Sequence, residues 1–206
     1  MEDNTNLQEL NIETFKDEYG KDYTHQKVFE SIIFFNENAK AFAKKALGSG
    51  SGEWWNCVTQ MGKWYEENIH NYGAVYSMCP LINKKVRHDC TGFVRACLLL
   101  NGIDIAEFNS ITMTPGSDFD KTLQANGFTL IQTSPYVISE TAKPGDICSR
   151  TVKAGFGHGH AEIYAGFIDG KHKSWGWGSV HDGKNGHPGM PAGINSKERY
   201  QYIWRK

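Results

Sequence analysis

From Gln26 to Leu47 the apolar residues Val28, Ile32, Phe35, Ala39, Phe42 and Ala46 fall at helical spacing, which predicts an amphipathic helix. Lys44 and Lys45 near its end suit the negative pole of the helix dipole. Gly48-Ser49-Gly50-Ser51-Gly52 then interrupts the pattern and reads as a flexible tether. A second helix is expected over Trp54 to Asn71, with Val58, Met61, Trp64 and Tyr65 facing inward, until Tyr72-Gly73 breaks it. A third starts at Cys90. Phe93, Val94, Cys97 and Leu98 share one of its faces, and Asn101-Gly102 supplies a left-handed stop. A short helix opened by Asp118 or Asp120 should end near Asn126-Gly127. Strands follow at Phe128 to Thr133, Asp146 to Arg150 and Ala161 to Ile168. Asp169-Gly170 is a strong hairpin signal, so Lys171 to Trp177 should return antiparallel, and Tyr200 to Trp204 alternates as a last strand. Helices first and strands afterwards predict an α+β domain. The tether divides the expected organisation into an N-terminal segment, 1–52, with a polar lead-in, the first helix and the tether, and a folded domain, 53–206.

Composition narrows the function. The formal charge is −1, which gives no electrostatic case for nucleic acid or for an anionic membrane surface. No apolar run approaches the length of a membrane span, so no membrane insertion is expected. The chain opens on polar and acidic residues, without the pattern of a secretory leader, and synthesis in the cytoplasm is expected. Five cysteines (57, 79, 90, 97 and 148) form an odd set with no C-x-x-C spacing. That argues against a disulfide framework and against a structural metal site. No cofactor is implied.

Candidate chemistry centres on Arg87-His88-Asp89-Cys90-Thr91-Gly92-Phe93-Val94. Cys90 falls in the first turn of its helix, where unpaired N–H groups and the dipole favour a nucleophilic sulfur. Asp89 is placed to cap that helix and fix its entry. About seventy residues on, a glycine-rich stretch leads into His158-Gly159-His160-Ala161-Glu162-Ile163-Tyr164-Ala165-Gly166. A histidine opening a β-rich run is held on a stiff element, as a general base should be. His158 is the alternative base, in looser backbone beside Gly159, and His88 is expected at the rim.

DCTGF, PGDI and HAEIYAG, in that order, resemble the NlpC-type cell-wall peptidases, a papain-like cysteine peptidase family to which the CHAP amidases are related. The likeness runs from about Tyr65 to the C-terminus. It implies a papain-like core in which the helix bearing the nucleophile packs on an antiparallel sheet bearing the base. It implies Cys90 as nucleophile and His160 as base, no metal, and Tyr76 (with Tyr72 second) and Asp89 bordering the substrate. The substrate implied is peptidoglycan, cut at an amide of the stem peptide or between sugar and peptide. An enzyme made without a leader would then reach the wall by lysis or on a virion, as phage lysins do, and the N-terminal segment could serve to dock to a partner or a larger chain. An acyltransferase or isopeptidase on the same fold, and a non-catalytic wall-binding module, are the alternatives.

The family places a His, Asn, Gln or Glu on the strand after the base, whereas Lys171 to Ser179 offers, before its very end, only His172 and Ser174 as polar candidates other than lysine. Here hairpin register decides what is available. One register presents Ser174 with Gly176 on the face of His160, and the other presents Trp175 and Trp177. Glu162, two residues along the strand from His160, points to the same face as the base. Ser174 is placed first, then Glu162, with a backbone carbonyl or a water as the remaining orienters.

Overall fold

The computed structural model describes residues 39–44, 46, 53–68, 90–106, 108–110, 112–131, 141–150, 159–177 and 200–206, with the backbone of 14–16, 22–24, 75–76, 87–88, 132, 136–137, 178, 187–188, 192–193 and 199. It has an α+β architecture. The polar lead-in contains a short antiparallel ribbon, β1 (Thr14–Lys16) with β2 (Asp22–Thr24), in which Phe15 lies opposite Tyr23. Threonine and aromatic residues favour extended backbone, which outweighs the polar surroundings. Of the helix expected over Gln26 to Leu47, residues 39–44 and 46 are described and are helical (α1), and the part before Ala39 lies outside the described residues.

Three helices follow: α2 (Trp54–Asn68), α3 (Cys90–Leu100) and α4 (Asp118–Ala125). Helix α3 stops as expected. Gly102 takes φ 80°, its N–H donates to Leu99 O, and Ile103 N–H donates to Leu98 O, so the last carbonyls are satisfied. Helix α4 is capped by Ser117, one residue ahead of the acidic pair, whose side chain accepts from Asp120 N–H. Asp120 itself is buried, taking hydrogen bonds from Gly116 N, Gln124 Nε2 and Trp204 Nε1.

The strands of the main sheet are β5 (Thr129–Gln132), β7 (Ile147–Arg150), β8 (His160–Ile168), β9 (Lys171–Trp175), β12 (Ala192–Gly193) and β14 (Tyr202–Arg205). They run antiparallel in the order β12-β9-β8-β7-β14-β5. Shorter pairs flank it: β3 (Val75–Tyr76) with β4 (Arg87–His88), β6 (Tyr136–Val137) with β13 (Arg199–Tyr200), and β10 (Trp177–Gly178) with β11 (His187–Pro188). The returning strand of the hairpin thus divides at Gly176, and the chain beyond it contributes β11 and β12.

Helix α3 lies between α2 and β8, and nearly every one of its residues is buried. Phe93 meets Tyr65 edge-on at 5.0 Å between ring centres, and Tyr65 meets Trp177 at 5.9 Å. Ala161, Ile163, Ala165 and Trp175 bring the sheet into this core, while Cys148, Tyr164, Tyr200 and Ile203 form a second, smaller cluster. Strand alternation makes these two sets opposite faces of the sheet. Helix α1 belongs to the main core as well. Ala39, Phe42, Ala43 and Ala46 are buried, Phe42 lies 5.8 Å from Tyr65 and 5.3 Å from Trp64, and Gln60 Nε2 donates to Ala46 O at 2.6 Å. A division at residue 52 therefore cuts through one apolar core.

The Pro144-Gly145-Asp146 motif is a structural clamp. Gly145 (φ 94°) accepts a hydrogen bond from Trp54 Nε1 at 2.7 Å. Asp146 takes the N–H of Lys143 at 2.8 Å and both arms of Arg205 at 2.8 and 2.6 Å. One turn thereby ties the start of α2 to the end of the chain.

Candidate active site

Backbone pairing lies just ahead of helix α3. Strands β3 and β4 run parallel, with Tyr76 opposite His88, two residues ahead of Cys90. Cys90 is the first residue of α3 and is buried. The α3 N-terminus leaves its first N–H groups outside the helical ladder, so they face whatever stands before Cys90. Asp89 and His158 lie outside the described residues, as does the side chain of Tyr76.

His160 opens β8, opposite Arg150 of β7. The residue before it must be glycine. A Cβ at Gly159 would stand 2.1 Å from Ser110 Oγ and 2.9 Å from Ser110 Cβ. The loop carrying Ser110 therefore presses directly on the start of the strand. The His160 side chain is 16 % exposed, within hydrogen-bonding reach of Cys90, and its Nε2 lies 3.4 Å from Glu162 Oε2.

Glu162 is 2 % exposed, so its carboxylate is withdrawn from solvent. Three groups surround it. His160 approaches Oε2, Ser174 Oγ donates to the same oxygen at 2.7 Å, and Tyr200 Oη donates to Oε1 in a short hydrogen bond. Ser174 is placed there by a β-bulge. Near the turn, Ile168 pairs with Lys171 and Phe167 with His172, whereas beyond the bulge Tyr164 pairs with Ser174 and Ile163 with Trp175. The extra residue falls at Ala165-Gly166, where Gly166 adopts φ 115°, a conformation closed to ordinary side chains. Without the bulge the alternation would turn Trp175 and Trp177 toward Glu162. The turn itself is Asp169 (φ 52°) and Gly170 (φ 72°), both left-handed, as a two-residue hairpin demands.

The electrostatics follow from this enclosure. Burial alone would push the His160 imidazolium toward deprotonation, but Cys90 and Glu162 beside it outweigh that and raise its pKa to about 10. Burial acts to raise Glu162, and the hydrogen bonds and charge of His160, with those of Tyr200 and Ser174, more than reverse it, holding the carboxyl below its usual value. Burial and the Glu162 charge push the Tyr200 phenol well above its usual range, so it stays a donor.

Of the residues singled out from sequence, Cys90, His160, Glu162 and Ser174 are thus joined in one network. Ser174 is one step removed from the imidazole, which Glu162 faces directly. The backbone of Tyr76 lies beside His88. Tyr200 was visible only as the first residue of an alternating strand. Its contact with Glu162 spans 38 residues of sequence, and no local signal announces it.

Cys57, Cys97 and Cys148 are buried, and burial followed by the proximity of Cys57 pushes the Cys97 thiol upward. Among the described residues no group of three or more His, Cys, Asp or Glu is placed to hold a metal ion, and no helix is long and apolar enough to cross a membrane. No protein-family model, curated protein or solved structure matches the chain.

Proposed function

We propose that the protein is a peptidoglycan hydrolase that cleaves an amide of the cell-wall peptide by a cysteine–histidine mechanism. The observation that carries the reading is the juxtaposition of Cys90, at a helix start, with a histidine that also has a buried carboxylate 3.4 Å from its Nε2. With Nε2 turned toward Glu162, Nδ1 is the nitrogen left to serve the sulfur. The Cys90 sulfur attacks the amide carbonyl carbon while N–H groups at the start of α3 stabilise the oxyanion. The protonated imidazole of His160 gives its proton to the departing amine as the C–N bond breaks, leaving a thioester. His160, now neutral, takes a proton from water, the resulting hydroxide attacks the thioester, and the sulfur leaves as thiolate. Glu162 holds the ring and balances its charge.

The choice of peptidoglycan rests on the resemblance carried by DCTGF, PGDI and HAEIYAG to the NlpC-type peptidases, because the site chemistry by itself serves any accessible amide. Incubating purified cell walls with the protein tests the reading. New free amines should appear, and should be absent with Cys90→Ala. Walls left intact by the native protein, with release instead from a small acyl donor, would favour acyl transfer on the same site.

A further inference from the structure

We propose that Tyr200 is a positioning residue of this site, its phenol O–H and the Ser174 hydroxyl gripping the two oxygens of Glu162 so that the carboxylate stays against His160. The inference rests on the catalytic reading above. Tyr200 is buried at the junction of β13 and β14, where Gln201 N–H donates to Ser149 O and so fixes the backbone beside β7. Glu162 lies opposite Cys148 of β7, and Cys148, Tyr164, Tyr200 and Ile203 pack together on that face of the sheet. A carboxylate among such neighbours is costly unless each oxygen is satisfied. Ser174 serves Oε2 together with His160, and Tyr200 is the donor to Oε1. The Arg150 guanidinium, 5.8 Å above the Tyr200 ring, is the nearby cation on β7.

Without the phenol O–H, Oε1 would lose that donor and the carboxylate would either take up a proton or turn to find a new partner. Each outcome weakens its hold on Nε2. Tyr200 therefore acts on the imidazole through Glu162, and it need not touch substrate.

The test is NMR of the full chain carrying carbonyl-labelled glutamate and ring-labelled histidine. In Tyr200→Phe the ionisation midpoint of Glu162 should move to higher pH, its acid dissociation constant falling about tenfold, the order expected for one lost hydrogen bond to a charged group. The His160 ring signals should change in step with it. An unchanged Glu162 midpoint overturns the proposal, as does a moved midpoint to which His160 is indifferent. If Tyr200→Phe does not fold, the native protein still decides the matter, since the Tyr200 Cζ signal should follow the protonation of Glu162 as pH falls. A Tyr200 ring blind to that titration overturns the proposal. None of these readings depends on turnover, so inactivity of the native protein on cell walls would sink the hydrolase reading alone.

Discussion

Glu162 Oε2 stands 3.4 Å from His160 Nε2, and both residues belong to one strand, two positions apart. The imidazole and the carboxylate are therefore carried by one backbone element. Neighbouring strands then hold the carboxylate, through Ser174 on Oε2 and Tyr200 on Oε1.

Removing the charge while keeping the shape tests that pairing. Glu162→Gln should lower the His160 pKa from its value near 10, because the raising influence of the carboxylate is lost while the desolvation remains. Turnover should fall by about a hundredfold or more, the range in which a mispositioned base performs. Histidine ring NMR and kcat on one substrate measure both, and a variant with unchanged titration and rate would make Glu162 a bystander.

Stability should follow the two shifts. His160 has a folded pKa raised above 6.5, so its contribution is complete below pH 6.5 and is lost as pH rises through about 10. Glu162 is lowered from 4.5, so its contribution is complete above pH 4.5 and is lost as pH falls through its folded value. Both are fully present between about pH 4.5 and 6.5. Melting curves across pH should place the network's largest stabilisation there, and Glu162→Gln should flatten the profile on both sides.

Helix α1 should matter to folding. Phe42→Ala should destabilise the chain by about 3–5 kcal/mol, the usual cost of emptying a buried aromatic site. Deleting residues 1–47 should lower the denaturation midpoint further, because Ala39, Phe42, Ala43 and Ala46 leave the core together. Urea melts followed by circular dichroism report both, and an unaltered midpoint would make α1 an appendage.

Gly166→Ala should cost about 1–2 kcal/mol from backbone handedness alone. Its Cβ would also crowd Pro144 Cγ at 3.3 Å. If the bulge is squeezed out, Trp175 rather than Ser174 turns toward Glu162, so turnover should fall by more than the loss of stability explains. Comparing kcat with the urea midpoint separates the two effects.

Much of this was legible in the chain because it is encoded locally. The stop at Asn101-Gly102, the hairpin at Asp169-Gly170 and the inward faces of α2 and α3 each arise from residues within a turn or two of one another. Cys90 and His160 could be paired because each lies in a recognisable short motif. What selects Ser174 over Trp175 is one extra residue at Ala165-Gly166, which alternation alone does not reveal. Tyr200 was hidden for the same kind of reason: its meaning comes from strands brought together by the sheet order. The Gly-Ser stretch misled in the other direction. Its composition reads as a tether between separate parts, yet Phe42 ahead of it packs on Tyr65.

The central claim is that Cys90 turns over amide bonds of the cell wall with His160 as its base. Mass spectrometry of the soluble products released from purified peptidoglycan by the native chain, by Cys90→Ala and by His160→Ala tests it most directly. The account predicts muropeptides with one newly hydrolysed amide from the native protein and none from Cys90→Ala, with His160→Ala slowed by about 10²–10⁴-fold. The same products from Cys90→Ala at the native rate would contradict it.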